Sequence, residues 1–395
     1  MVCPNCGLKV NFEKGGCPNC HHMIDKSRQP GKKPETRTGN GQWTNNLKEF
    51  DLGTKNQTAT GGNGGQLKKI IALALVLILI LIFSLVALGG PSDQVVRISG
   101  KNVVYTAFDV ADMLKDNLNV SRFKTILVSR SDNYPDALSG SYLAAKRSAP
   151  MLLVSEDTVR DVRDYIEDSI AYGGTVYLLG DADVVPDAVV KGIEGITVRR
   201  LGGETRLETN LNILQEAEIT EREIIVCSGW SYADSLSASV LDRPVLLVGE
   251  NLTAEQEAFL KSLSSNLKFY IIGGSSAVSN AVQAALSNYG TTMRVSGENR
   301  CETSANVARK FFTAPEAVVL IYSHDFAEGL CSIPLALSMK APLILTNPND
   351  AGYCMEYMED LEIHNGVIVA GEDTVPDALV VNIFQLEDAS EIKNN

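Results

Sequence analysis

The sequence predicts an α/β protein in which three tandem repeats each form a small layered unit. Short runs such as ILVS, LLVS and YLLG are apolar on both faces, as parallel strands covered by helices require. Helical patterns alternate with these runs, so each repeat is expected to be a flavodoxin-like βαβαβα sandwich. A cysteine-rich segment and one long apolar segment precede the repeats.

The first repeat illustrates the predicted alternation of strands and helices. The predicted strands are Thr125–Ser129, Met151–Ser155 and Val176–Gly180, and the predicted helices are Asp136–Lys146, Val159–Tyr172 and Pro186–Gly192. The strands are short and rich in branched apolar residues, whereas apolar residues in the helices recur with helical spacing.

The charge distribution divides the chain near residue 70. Residues 1–69 carry 11 Lys and Arg against 5 Asp and Glu, whereas the rest of the chain carries 24 against 43. In Ile70–Leu88 the only polar side chain is Ser84, and a helix of that length spans about 28 Å, close to the hydrocarbon thickness of a bilayer. Positive charge flanks only its N-terminal side. The sequence therefore predicts a signal-anchor transmembrane helix over 67–89, a single-pass plasma-membrane location, a cytoplasmic N-terminus and extracellular repeats.

Two C-P-N-C knuckles lie in the first twenty residues. Four thiolates at this spacing close a tetrahedron around one structural Zn²⁺, which supplies the folding free energy that so small a module lacks. The module resembles the zinc ribbons at the N-termini of many bacterial membrane proteins. Its role is expected to be structural or the binding of a cytoplasmic protein, and its few basic residues argue against a nucleic-acid partner. The predicted zinc ligands are Cys3, Cys6, Cys17 and Cys20.

One motif set occurs three times in the remaining sequence. RISGKNVVYT begins at Arg97, RLGGETRLET at Arg200 and RVSGENRCET at Arg294, and later landmarks recur in the same order. These are internal repeats of the length of a small domain. The predicted domains are a zinc ribbon 1–25, a flexible cytoplasmic linker 26–66, the transmembrane helix 67–89, and repeats 95–199, 200–293 and 294–388.

These landmarks resemble the cell wall binding type 2 repeat family, which occurs in threes on surface proteins of clostridia and their relatives. The shared pattern is R-[IVL]-x-G-x-x-R-x-E-T, followed by D-A-L-S, A-P and G-G, over roughly residues 95–388. The resemblance implies three Rossmann-like units about a pseudo-threefold axis. It also implies noncovalent binding of an anionic wall polymer, with the repeats facing the cell wall.

Candidate ligand-binding residues lie in these motifs, beyond the carboxyl ends of the predicted strands. The carboxylates stand at helix starts, where they are explained either as N-caps or as groups that bind sugar hydroxyls or a bridging cation. The arginines suit phosphate or carboxylate, or ion pairs with Glu208 and Glu302 between repeats. The predicted ligand-binding residues are Asp136, Ser139, Asp234, Ser237, Arg206 and Arg300.

The three repeats are not chemically equivalent. The first has Val103 and Tyr105 where the others have Arg and Glu, and the third has Glu328 in place of Asp. No hydrolase motif is visible, so we expect no enzymatic activity. The predicted function is a membrane-anchored protein whose repeats bind a wall glycopolymer, with cations assisting because the repeats are acidic. The alternative is a transmembrane sensor or assembly scaffold with a protein-binding ectodomain and the zinc ribbon as its cytoplasmic interaction module.

Overall fold

The computed structural model describes residues 94–263 and 265–395. Within these ranges, strands and helices alternate and form three sheets, in which all strand pairings are parallel. The predicted mixed α/β fold, with a parallel sheet in each of three repeat units, is therefore confirmed.

The first sheet has the strand order β3-β2-β4-β5. Its strands are β2 (Phe123–Arg130), β3 (Met151–Val154), β4 (Ile170–Leu179) and β5 (Thr197–Leu201), and the nearby helices are α1 (Val103–Leu118), α2 (Pro135–Arg147) and α3 (Val159–Ser169). Ile126 and Val128 belong to one apolar cluster and Leu127 to another, so both faces of β2 are covered. The predicted helix over 159–172 ends earlier, at Ser169, because Ile170 already pairs with Phe123 in the sheet.

The second sheet has the order β7-β6-β8-β9. Its strands are β6 (Glu223–Ser228), β7 (Val245–Val248), β8 (Leu267–Ile272) and β9 (Gly290–Val295), and its helices are α4 (Arg206–Glu216), α5 (Ala233–Ala238), α6 (Ala254–Ser262) and α7 (Asn280–Leu286). The central strands β6 and β7 are buried almost completely, as their continuous apolar runs predict.

The third sheet has five strands in the order β11-β10-β12-β1-β13. Its strands are β1 (Val95–Ile98), β10 (Val318–Tyr322), β11 (Leu343–Thr346), β12 (Gly366–Val369) and β13 (Ile392–Asn394), and its helices are α8 (Arg300–Phe311), α9 (Ala327–Met339), α10 (Gly352–Asp360) and α11 (Asp377–Phe384). The strand that begins the first repeat thus lies between two strands from the end of the chain, where Arg97 pairs with Ile368 and Asn394.

The strand that opens each sequence repeat belongs to the sheet of another repeat. Arg200 lies on β5 in the first sheet, Arg294 on β9 in the second, and Arg97 on β1 in the third. Because β1 pairs with β12 and β13 of the third sheet, the start of the first repeat is joined to the third repeat by hydrogen bonds. The three units thus form a ring without a covalent bond between its ends.

The described residues, 94–263 and 265–395, contain no helix with both the length and the apolar character needed to cross a membrane. This finding contradicts the predicted location as a single-pass plasma-membrane protein. The segment 67–89, on which that prediction rested, lies outside the described residues, as do the predicted linker and the four predicted zinc ligands.

Candidate functional site at the seams between repeats

Three aromatic residues at equivalent positions meet where the repeats join. Tyr134, Tyr232 and Phe326 each directly precede the helix that follows strand β2, β6 or β10. Their ring centroids lie 5.6, 5.6 and 5.5 Å apart, in edge-on or tilted contact. We call these residues the aromatic triad. Its near-equal distances place an approximate threefold axis between the three repeats.

Arg206 and Arg300 lie at two of the three seams beside the aromatic triad. The Arg206 guanidinium carbon is 5.9 Å from the Tyr134 ring centroid, and its Nη1 donates to the Gly229 carbonyl at 2.6 Å. Arg300 Nη1 donates to the Tyr232 hydroxyl at 2.8 Å and to the carbonyl that follows strand β10 at 2.9 Å. Each arginine therefore links its own repeat to the tyrosine of the preceding one.

The predicted ion pairs of these arginines with Glu208 and Glu302 are absent from the described residues. The Glu208 carboxylate instead accepts a hydrogen bond from the backbone N–H of Glu204, and Glu302 accepts from Glu298 in the same way. The glutamates thus stabilise the loops that precede their helices. The arginines contact groups of the seam instead.

At the third seam both partners of this contact are changed. Val103 stands where the other repeats have an arginine, and the triad residue of the preceding repeat is Phe326 rather than tyrosine. The Tyr232 hydroxyl accepts from Arg300, and phenylalanine at the third seam has no hydroxyl that would need such a donor. Val103 and Phe326 together therefore make the third seam apolar where the other two seams are polar.

Asp136, Asp234 and Glu328 occupy the second position of α2, α5 and α9. They do not cap these helices, because the cap positions belong to the aromatic triad, whose side chains make no cap hydrogen bond. Burial raises the pKa of Asp136 and of Asp234, and the arginine at each seam partly offsets that effect. Glu328 lacks such an arginine, and burial raises its pKa to about 7.

A crevice with a volume of about 230 Å³ opens at the seam between the first and second repeats. Its charged lining residues are Arg130, Asp136, Asp181, Glu204 and Arg206. After burial, the next influences on the pKa of Asp136 are Arg130 and Arg206, which lower it, followed by Asp181, which raises it. The crevice therefore presents both signs of charge, and suits a ligand with hydroxyl groups or balanced charges better than a dense polyanion.

Ser139 and Ser237 are buried and do not face this crevice. Ser139 Oγ donates to the Pro135 carbonyl at 2.8 Å and accepts from Asn210 Nδ2 of the next repeat at 3.1 Å. Ser237 Oγ donates to the carbonyl of Asp234 at 2.9 Å. Their hydroxyls bond within the protein, whereas the side chains of Asp136 and Arg206 line the crevice.

The arginine that opens each repeat motif was not among the predicted site residues. Arg97, Arg200 and Arg294 each donate from Nη1 to the carbonyl at the end of a neighbouring strand, and from Nη2 to a carbonyl five residues further on. Arg97 and Arg200 also pair with Asp377 and Asp187. The recurrence of this arginine in all three motifs was the signal in the sequence, and the structure explains it as loop fixation.

The rest of the motif also binds within the protein. In the third copy, Gly297 N–H donates to Thr303 Oγ1 at 3.0 Å, and the side chain of Asn299 caps the helix by accepting from Glu302 N–H. A Cβ on Gly297 would lie 2.6 Å from the Cβ of Glu302, so only glycine permits this close approach. The motif builds the junction between a strand of one sheet and the first helix of the next repeat.

Three parallel α/β units that close around an aromatic triad, with crevices at the strand ends, define a tandem-repeat binding module. The chain belongs to the family described as Cell wall binding domain 2 (CWB2), whose model matches residues 97–190, 200–283 and 294–381. All three repeats identified in the sequence are thus members of that family.

Two curated proteins of Bacillus subtilis (strain 168) are similar to the chain. The N-acetylmuramoyl-L-alanine amidase LytC is 25% identical over 265 residues, which are 65% of this chain and 51% of the amidase. The amidase enhancer is 23% identical over 265 residues, which are 63% of this chain and 36% of that protein. The chain therefore spans about half of one relative and about a third of the other.

Two solved structures from Clostridium difficile share the fold. Cwp8 has a TM-score of 0.65 at 23% identity, over 79% of this chain and 55% of that one. Cwp6 has a TM-score of 0.60 at 22% identity, over 76% and 48%. Wall-binding repeats are consistent with an extracellular or wall-associated location, which replaces the predicted membrane location.

Proposed function

We propose that the chain binds a cell-wall polymer noncovalently through the crevices of its repeats and catalyses no reaction. The observation that carries the proposal is the match of all three repeats to a family of cell-wall-binding domains. The mixed-charge crevice at the first seam supports it, because its carboxylates and guanidinium groups are suited to bind hydroxyl-rich or zwitterionic groups of a glycopolymer.

The similarity to an amidase does not extend the proposal to catalysis. It runs through the wall-binding repeats and covers about half of that enzyme. A protein that shares the repeats shares their binding surface, whereas amidase activity requires a catalytic site of its own.

Two cysteines and one serine–histidine pair in the described residues are poorly placed for nucleophilic chemistry. Burial raises the pKa of Cys301 to about 12 and that of Cys354 to about 11, so both thiols stay protonated at neutral pH. Ser323 Oγ lies 2.9 Å from His324 Nδ1, but Ser323 is fully buried and Asn347 Nδ2 also donates to its hydroxyl. A substrate carbonyl cannot reach that oxygen without local unfolding.

Cosedimentation with purified walls tests the proposal. The full chain should pellet with intact walls, and chemical removal of the polymer from peptidoglycan should abolish this. Arg206→Ala should weaken retention per folded molecule about ten- to a hundredfold if the guanidinium binds polymer. Lys191→Ala, an exposed change away from the seams, is the matched control.

The melting temperature of the same preparations separates two roles of Arg206. A seam residue with no ligand contact would lower the melting temperature on replacement and leave binding per folded molecule unchanged. Failure of the wild-type chain to pellet with walls, with or without calcium, would contradict wall binding and favour the protein-binding scaffold.

A further inference from the structure

The second repeat carries a crevice that none of the predicted site residues lines. Its volume is about 420 Å³, and it lies at the carboxyl ends of β6, β7 and β8. The lining includes Ser228, Trp230, Gly249, Glu250 and Ser276. Trp230 is 58% exposed, although a tryptophan side chain usually buries most of its large apolar surface in a folded protein.

The backbone of Trp230 is hydrogen-bonded, and its indole lies against neighbouring groups on the protein surface. Its backbone N–H donates to Ser228 Oγ at 3.1 Å, and the Arg206 guanidinium carbon lies 5.2 Å from its ring centroid. A Cβ on Gly249 would lie 3.3 Å from indole Cζ3, so the ring packs closely against the backbone of Gly249. A ring positioned in this way loses little conformational entropy when a ligand stacks on it.

The corresponding loops of the other repeats have different chemistry. Arg130 and Asp132 form an ion pair in the first repeat, and His324 follows the buried Ser323 in the third. Tryptophan in this loop is therefore a feature of the second repeat. Structural demands common to the three repeats cannot account for it.

The crevice combines a flat apolar surface with small polar groups. Ser228 and Ser276 supply hydroxyls, Glu250 supplies a carboxylate, and Glu250 is the only charged residue of the lining. A pyranose ring has one face of C–H groups that packs on an indole, and hydroxyls at its edge that bond to such groups. Phosphate would meet the Glu250 carboxylate in a lining that contains no cationic side chain.

We infer that this crevice binds one uncharged sugar residue of the wall polymer, with Trp230 as the stacking surface and Glu250 as a hydroxyl acceptor. The inference rests on the proposed wall binding and assigns its specificity to a neutral sugar. It also explains how a domain with an excess of acidic residues binds a wall polymer: contact at this point depends on stacking, not on charge.

Cosedimentation of the full chain with purified walls is the first test. Trp230→Ala should lower the affinity for walls about tenfold or more, as expected for loss of a central aromatic contact. Trp230→Phe should retain most of the affinity because it keeps a stacking face. Tyr172→Ala removes an aromatic residue that is 92% exposed at the start of strand β4 and should leave the affinity unchanged.

Fluorescence identifies the ligand class. In a Trp43→Phe background Trp230 is the single tryptophan, so its emission reports the crevice alone. The polysaccharide stripped from the walls should shift that emission. Its fragments after hydrofluoric acid treatment, which cleaves phosphodiesters and leaves the sugars, should shift it as well, whereas inorganic phosphate should not.

The outcomes are distinct. Absence of wild-type binding to walls would contradict the proposed function and this inference together. Wild-type binding with Trp230→Ala within about twofold of it would overturn the inference alone. So would a loss that merely follows a lower melting temperature. An emission that responds to phosphate but not to the phosphate-free fragments would overturn the sugar assignment.

Discussion

Replacement of Glu328 by glutamine should stabilise the protein relative to the wild type at alkaline pH but not at acidic pH. Burial is the main cause that raises the pKa of Glu328 from its ordinary 4.5 to about 7, and the nearby Asp325 and Asp373 add to it. Arg97 acts in the opposite direction but is bonded to carbonyls of the adjacent loop. The seam arginine that accompanies the equivalent aspartates is replaced here by Val103.

The sign and size of the effect follow from the raised pKa. An acid whose folded-state pKa exceeds its unfolded value favours folding at low pH, and this contribution is lost as pH rises from 4.5 through about 7. The shift corresponds to about 3 kcal/mol in the free energy of unfolding. Glutamine keeps the shape of the side chain without the charge. We therefore expect Glu328→Gln to be near neutral at about pH 4.5 and stabilising by about 2–3 kcal/mol at about pH 8.

Urea unfolding of the wild type and the variant at both pH values measures this difference. Glu316→Gln, an exposed change in the same repeat, is the control and should show no pH-dependent gain. Asp136→Asn should gain less than Glu328→Gln because Arg130 and Arg206 lower the pKa of Asp136. A gain that is equal at the two pH values, or absent at the higher one, would refute the reasoning.

Two further predictions concern the third seam and the N-terminal cysteines. Combining Val103→Arg with Phe326→Tyr should create at the third seam a contact like that of Arg300 with Tyr232. A double-mutant cycle in urea unfolding should then give a favourable coupling free energy of about 1 kcal/mol. A coupling near zero would mean that the two differences are unrelated. Metal analysis of the full chain should find one zinc per chain that Cys17→Ser removes, and less than half an equivalent would contradict this. The predicted zinc ligands are Cys3, Cys6, Cys17 and Cys20.

Much of the fold could be predicted from the sequence because its determinants are local. Apolar runs such as that in β2 indicate strands covered on both faces, and Ile126, Leu127 and Val128 are indeed fully buried. The sheet to which β1 belongs could not be predicted in this way. Its residues indicate a strand, but Val95 pairs with Gly366 and Ile392, more than 270 positions along the chain, and no local pattern specifies so distant a partner.

The candidate site could be predicted in part, because some of its residues recur at equivalent positions of the repeats. Asp136 and Asp234 were recognised because they recur after equivalent strands, and the structure places both at the seams. Ser139 was selected on the same criterion but is buried in helix packing. Recurrence in all repeats cannot distinguish a residue that maintains the architecture from one that binds a ligand. Trp230 was overlooked because it does not recur.

Residues that the repeats share and residues in which they differ therefore have different roles. The motif arginines, exemplified by Arg97, use their polar atoms on loops of the protein itself, and such residues must recur because every junction is built alike. The differences lie at the seams and in the second repeat's crevice. The first seam has mixed charge around Asp136, the second repeat has the indole of Trp230, and the third has Glu328 with a pKa near 7. The two crevices, one with mixed charge and one with an exposed indole, differ in chemistry and would suit a polymer whose successive groups also differ. If both crevices bind the polymer, as proposed, weak contacts would combine through effective concentration into stable retention.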